Sequence, residues 1–202
     1  MVNYTLYAVW KYVDESGIEF TITDTAQVTG YSGEYQTIVI EGSINPGGSV
    51  SAVTSIAGYA FSYNSVVQNI IIQSGLTEIG EYAFEYCVNL KKITLPATLV
   101  SIGTRAFYGC EALKSINIPS SVTEIGEWAF AFCSVLVAYA GAPSKPAGWS
   151  SYWNYHTTGV VHFGISSQNF VESNDLQFVL IDGQAVFTRY TGALTSVNIP
   201  SS

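Results

Sequence analysis

The apolar positions of this chain recur with a period of 23 residues, and residues 68–90, 91–113 and 114–136 align without gaps. Each unit opens on an apolar pair two residues apart: Ile70/Ile72, Ile93/Leu95 and Ile116/Ile118. That spacing puts both side chains on one face of a short strand. Pro96 and Pro119 follow at once in two units and end the strand, because proline lacks the N–H that a ladder needs. A second apolar pair comes next, Leu76/Ile79, Leu99/Ile102 and Val122/Ile125, and then a glycine, Gly80, Gly103 or Gly126. Glycine in a fixed column predicts either a positive φ or close approach of a neighbouring backbone. An Ala-Phe-x-x-Cys run follows: Ala83, Phe84 and Cys87, then Ala106, Phe107 and Cys110, then Ala129, Phe130 and Cys133. Spacings of three and four predict a single helical turn with alanine and cysteine on one face. Leu90, Leu113 and Leu136 close the units.

A degenerate copy at 55–67 keeps Ile56, Ala60 and Phe61 in register but has Asn64 in the cysteine column. Its strand is read as Thr37-Ile38-Val39-Ile40, separated from Ile56 by a Gly/Ser-rich insertion at 41–54. Four coils follow, with Phe61, Phe84, Phe107 and Phe130 as a stacked core spine and Phe61 in the terminal coil. A short fixed period is the mark of a solenoid, in which each unit buries its apolar face against its neighbours.

The order I-x-I-P, then I-G-x-x-A-F-x-x-C, then L resembles the BspA-like leucine-rich repeats, also called the Treponema pallidum type, over residues 36–136. The resemblance implies a right-handed leucine-rich solenoid of a bacterial cell-surface protein, often with a part in adhesion, and leaves the ligand open. The fold expected is therefore mostly β with short helical turns: a right-handed leucine-rich-repeat solenoid of about four coils with flanking β-rich caps. Thr5-Leu6-Tyr7-Ala8-Val9-Trp10 is similar to the closing strand of a bacterial surface repeat of the Listeria-Bacteroides type. The aromatic segment 142–164 is similar to the one that often closes BspA-like arrays. It is read as a C-terminal cap, which hides the leucines and the open edge of the last coil.

A second repetition joins the ends. Residues 18–33 align with 176–192, with one extra residue in the later copy, and a strand pattern begins seven residues after each tyrosine, Tyr31 and Tyr190. The later copy predicts a hairpin of 178–180 with 185–188, with Val197 and Ile199 as inward strand residues. The expected divisions are 1–13, the tail of a preceding surface repeat or a linker; 14–35, an N-terminal capping module; 36–136, the repeats; 137–165, the aromatic cap; and 166–202, the start of a second array-opening module. The chain reads as a segment of a longer, exported surface protein whose signal and anchor lie outside it.

Charge narrows the partners. A net charge of -8 with seven Lys and Arg leaves no basic stripe for nucleic acid, and no apolar run reaches the roughly 20 residues of a membrane span. Glu78 and Glu124 share one column and Glu81 and Glu127 another, but Ser101 and Thr104 interrupt them. They read as a solvated face rather than a calcium site, which needs converging oxygens. The three cysteines lie 23 residues apart, without the short spacing of a zinc or redox pair. Stacked coils bring neighbours within disulfide range, yet their shared inward direction favours buried free thiols. His156 and His162, with Asp14, Asp24, Asp175 and Asp182, form no recognisable catalytic motif. No enzyme, cofactor or metal is expected.

The expected function is a non-catalytic adhesion or protein-binding scaffold at the cell surface. The candidate surface is the concave strand face, through outward Thr37, Val39, Asn69, Ile71, Lys92, Thr94, Ser115 and Asn117. These residues are small, mixed and nearly uncharged, which suits a protein partner. Alternatives are a glycan-binding module using Trp149, Tyr152, Trp153 and Tyr155, or a passive spacer between surface domains. Two further aromatic columns, Tyr59/Tyr82/Arg105/Trp128 and Tyr63/Tyr86/Gly109/Phe132, are read as partly exposed side chains that shield the turn side of the coils.

Overall fold

Two parallel ladders run the length of the repeat array, one on each side of a shared core. The computed structural model describes residues 10–134 and 136–164, and the backbone strands within 170–190. The segment 5–9 and the residues Val197 and Ile199 lie outside the described residues. The chain opens with an antiparallel meander of β1 (Trp10–Val13), β2 (Ile18–Ile22) and β3 (Ala26–Tyr31). The first ladder continues from β3 through β6 (Ser51–Ile56), β8 (Glu78–Ile79), β10 (Ser101–Ile102), β12 (Glu124–Ile125) and β14 (Gly148–Trp149), all parallel. The second ladder consists of β4 (Thr37–Ile40), β7 (Asn69–Ile72) and β9 (Lys92–Thr94), then β11 (Ser115–Ile118), β13 (Val137–Ala140) and β15 (Val161–Phe163). β9 and β11 lie side by side. In the 41–54 insertion, β5 (Ser43–Ile44) folds back antiparallel on β6.

Each ladder has six rungs where the repeats alone predict four, because the N-terminal meander supplies β3 and the aromatic cap supplies β13, β14 and β15. The caps are thus continuous with the hydrogen-bonded array, and no leucine row is left bare at Leu136, which is buried.

Strand alternation matches the expected core. Ile38, Ile40, Ile70, Ile72, Ile93, Ile116 and Ile118 are all buried. Between them and the first ladder the phenylalanines stack at a repeat close to the strand spacing, with centroids 5.0 Å apart for Phe61/Phe84, 5.0 Å for Phe84/Phe107 and 4.9 Å for Phe107/Phe130. The spine is longer than the four repeats. Tyr31 stacks on Phe61 at 5.8 Å and Trp153 closes edge-on against Phe130 at 5.7 Å.

The Ala-Phe-x-x-Cys run differs in detail from a helical turn. Alternate N–H groups bond within the coil, as in Glu85 N–H to Tyr82 O (3.1 Å) and Cys87 N–H to Phe84 O (3.1 Å). The intervening ones cross to the next coil, as in Tyr82 N–H to Thr104 O (2.9 Å), Phe84 N–H to Ala106 O (2.7 Å) and Tyr86 N–H to Tyr108 O (2.7 Å). In the interior of a helix each N–H bonds within the helix; here alternate N–H groups tie neighbouring coils, which makes the turn side a third ladder. The glycine column owes its identity to this close stacking. A Cβ on Gly103 would lie 2.6 Å from the Glu81 nitrogen of the preceding coil.

The duplicated terminal sequences fold alike at the level of backbone pairing. β16 (Phe170–Ser173), β17 (Leu176–Ile181) and β18 (Gln184–Tyr190) form an antiparallel meander, as β1, β2 and β3 do. In both, the register shifts at the same aligned place: Glu19 opposes Gly30 and Phe20 opposes Val28, while Gln177 opposes Arg189 and Phe178 opposes Phe187. One threonine is bulged in each copy, Thr29 or Thr188, so the extra residue that defines a β-bulge is part of the repeated design.

Candidate functional site

The outward residues of the second ladder form two registered rows. Thr37, Asn69 and Lys92 pair across β4, β7 and β9, and Val39, Ile71 and Thr94 form the parallel row. On the far half, Ser115 pairs with Val137, and Asn117 with Tyr139 and then His162. All eight positions expected from the sequence lie on this face. Thr37, Val39, Ile71, Lys92, Thr94 and Asn117 are exposed, and Asn69 and Ser115 are half-buried. The Asn69 amide donates to the Thr37 hydroxyl at 3.1 Å, which fixes the entry of the first row. Val39 and Ile71 leave an apolar patch at the N-terminal half, and Lys92 is the one charge among the eight.

Tyr139 and His162 extend the second row and were not expected from the sequence, because the array was taken to end at residue 136. Their rings stack with centroids 5.3 Å apart and 12° between planes. Tyr139 is buried, so the row offers a small polar and apolar surface at its centre and a packed ring at its end. The signal available was the small-aromatic alternation of Val137-Ala138-Tyr139-Ala140, which continues the period-2 pattern of Ser115-Ile116-Asn117-Ile118.

The four cap aromatics separate. Trp149 and Trp153 are 2% and 3% exposed, and the Trp149 indole Nε1 donates to Val122 O at 3.0 Å. Both indoles plug the end of the core and offer no face to a sugar ring, which corrects their place in the glycan alternative. Tyr152 and Tyr155 are exposed, edge to face at 5.9 Å.

The turn-side columns are ladders in their own right. Tyr59 and Tyr82 stack at 4.8 Å with 3° between ring planes, and the Arg105 guanidinium lies between Tyr82 (5.7 Å) and Trp128 (4.6 Å). In the second column Tyr63 and Tyr86 stack at 5.1 Å, Tyr108 fills the place left by Gly109, and Phe132 continues to His156 at 5.0 Å. The non-glycine residues of both columns have φ between 53° and 63°, a left-handed region that costs non-glycine residues energy. Within each column the rings pack on one another and on Arg105, while Tyr59 and Tyr63 at the N-terminal end stack on one side only and are exposed.

Among the described residues the buried thiols carry the largest titration shifts. The thiols of Cys87, Cys110 and Cys133 are buried and donate to the Phe61, Phe84 and Phe107 carbonyls at 2.9, 3.1 and 3.1 Å. Burial pushes the Cys87 and Cys133 thiols up to about 12 and Cys110 well above its ordinary value. Ser101 stands between Glu78 and Glu124 in the first ladder, and the described residues contain no His/Cys/Asp/Glu group arranged to hold a metal ion. No helix among them is long and apolar enough to cross a membrane.

Residues 49–144 match the family model for the BspA type leucine rich repeat region, in six copies. Solved structures of the same fold include a leucine-rich repeat protein from Bacteroides capillosus, at 24% identity and TM-score 0.56, covering 75% of this chain and 96% of that one. A leucine rich cell surface protein from Faecalibacterium prausnitzii is similar at 20% identity and TM-score 0.53, over 90% of this chain and 61% of that one. The pneumococcal vaccine antigen PcpA is similar at 19% identity and TM-score 0.58, over 84% of this chain and 54% of that one. At these identities the likeness is one of fold. No curated protein matches the chain.

Proposed function

Because this chain is a BspA-type leucine-rich repeat protein over residues 49–144, we propose that it acts as a non-catalytic protein-binding scaffold at a bacterial cell surface, in the manner of an adhesin. The observation that carries this reading is the registered outward face of the second ladder, whose exposed side chains are mixed and nearly uncharged, unlike the Glu78 and Glu124 column of the first ladder. Its exposed row from Val39 through Ile71 and Thr94 to Asn117 grades from apolar to polar. That composition fits the apolar centre and polar rim of protein interfaces.

The family resemblance and the F. prausnitzii cell surface protein support a surface location. Fold likeness does not carry a ligand with it, so the partner is identified by the face. A sugar-binding role would rest on Tyr152 and Tyr155 alone, since the two tryptophans beside them are core. A spacer role predicts no binding from any face.

Surface plasmon resonance of the whole chain against a panel of purified extracellular-matrix and serum proteins, with a glycan array in parallel, tests the reading. Binding of a protein that Ile71→Arg abolishes and Glu124→Arg, on the opposite ladder, leaves intact is the expected result. Binding of glycans alone, lost on Tyr152→Ala with Tyr155→Ala, would overturn it.

A further inference from the structure

Among the described residues the second ladder begins on an unpaired strand edge. The N-terminal meander caps the first ladder through β3 and β6, whereas β4 is the terminal strand of its sheet, and among the described residues no strand pairs with its outer edge. Its hydrogen-bond parity is set by β7. The Gln36 carbonyl accepts from Asn69 N–H (2.9 Å) and the Ile40 carbonyl from Gln73 N–H (2.9 Å). In a parallel pair alternate residues bond to the same neighbour, so Ile38 serves β7 while the N–H and C=O of Thr37 and Val39 point to the uncovered side.

That side is a shallow, largely open groove beside the β1–β2 turn. A cavity of about 530 Å³ runs along β4, walled by Tyr12, Asp14, Glu15, Tyr35 and Glu41. One oxygen of the Asp14 carboxylate, Oδ1, accepts from Ser16 N–H and Ile18 N–H at 2.9 Å each and from the Ser16 hydroxyl at 2.7 Å. Glu15 and Glu41 are exposed, and among the described residues no lysine or arginine lines the groove. The Tyr31 hydroxyl holds the Tyr35 end of the wall in place, accepting from Tyr35 N–H at 2.8 Å and donating to Tyr35 O at 3.0 Å.

We propose that the β4 edge is a strand-addition site for an extended basic segment of a partner protein. The Thr37 and Val39 main chain would supply the pairing, and Glu15 and Glu41 would select cationic side chains. Main-chain pairing gives affinity and flanking groups give specificity in this mode of recognition, and the net charge of -8 steers a cationic segment toward the chain. The site is separate from the concave-face reading: that face uses the side chains of β4, and this one uses its backbone edge.

The test is fluorescence anisotropy on the full chain with a labelled Lys-Val-Lys-Val-Lys-Val peptide, its Glu-Val-Glu-Val-Glu-Val counterpart, and a backbone N-methylated version of the first. The lysine peptide binds and the other two bind at least tenfold more weakly. Val39→Pro removes a donor the β7 pairing does not use, so it weakens binding tenfold or more with an unchanged circular dichroism spectrum. Glu15→Gln with Glu41→Gln weakens binding and flattens its salt dependence, while Glu78→Gln with Glu124→Gln, the same charge change on the first ladder, leaves it unchanged. Equal binding of the N-methylated peptide overturns the proposal. So does self-association in sedimentation that Val39→Pro abolishes in the absence of peptide binding, because a second copy would then own the edge.

Discussion

A Cβ on Gly109 would lie 2.6 Å from Cδ1 of Tyr86 in the preceding coil. Tyr63, Tyr86 and Phe132 occupy the same column with aromatic rings, and Gly109 is the one position where the column lacks a side chain, so Tyr86 tilts into the gap and meets Tyr108 edge-on at 5.4 Å. Gly109 has φ 70°. Gly109→Ala therefore combines a left-handed penalty of about 1–2 kcal/mol with displacement of the Tyr86 ring, and urea melts should show a loss at or above that range. A variant as stable as the parent would show that the ring packing there is slack.

The core spine predicts a graded series. Phe107 stacks on rings at both sides, and Phe107→Ala should cost about 3–5 kcal/mol. Phe61 was expected at a frayed end, but Tyr31 lies beyond it, so Phe61→Ala should approach the same cost. Tyr31 is half-buried and its replacement by alanine should cost less. Melts ranking Tyr31→Ala above Phe107→Ala would contradict the continuous spine.

The thiols give a pH signature. Burial raises Cys87 and Cys133 from an ordinary 9.0 to about 12. Between those values the unfolded chain has released protons that the native chain retains. The contribution is thus fully present below pH 9 and falls as pH rises toward 12, by up to about 1.4 kcal/mol per pH unit for each thiol. Denaturant melts at pH 8 and pH 10.5 should show a steeper decline for the parent than for Cys87→Ala with Cys133→Ala. Equal slopes, or rapid labelling of native protein by a thiol reagent at pH 8, would contradict the burial.

Trp149 makes the C-terminal cap testable. Its buried Nε1 donates to Val122 O, and Trp149→Phe leaves that carbonyl without its partner, a loss of about 1–3 kcal/mol. Thermal melts should show the drop. An unchanged midpoint would mean the cap indole is dispensable to the array.

What the sequence made legible was whatever repeats in register. Ile70/Ile72, the phenylalanine column and the glycine column could be read because equal spacing in stacked coils means equal environment. The turn conformation could not be read from the Ala-Phe-x-x-Cys spacing, since three-and-four spacing fits both a helical turn and a series of turns whose alternate N–H groups leave the coil. Tyr82 and Tyr86 in left-handed backbone run against residue preference, and ring stacking and backbone hydrogen bonds between coils accompany them there. Trp149 and Trp153 looked like a ligand platform because, outside the period, no register said which way they point. Tyr139 and His162 were missed for the same reason. The hairpin of 178–180 with 185–188 was legible from its alternation and from its likeness to 18–33.

One paired measurement separates the turn side, whose rings stack between coils, from the outward face of the second ladder, the proposed partner surface. Ile71→Arg and Tyr82→Ala are compared by thermal melting and by binding to the same panel of purified extracellular proteins. Ile71→Arg is expected to melt like the parent but lose binding, and Tyr82→Ala, which removes the ring shared by Tyr59 and Arg105, to melt lower but bind like the parent. The reverse pattern, with binding lost at Tyr82 and kept at Ile71, would contradict this assignment of the two surfaces.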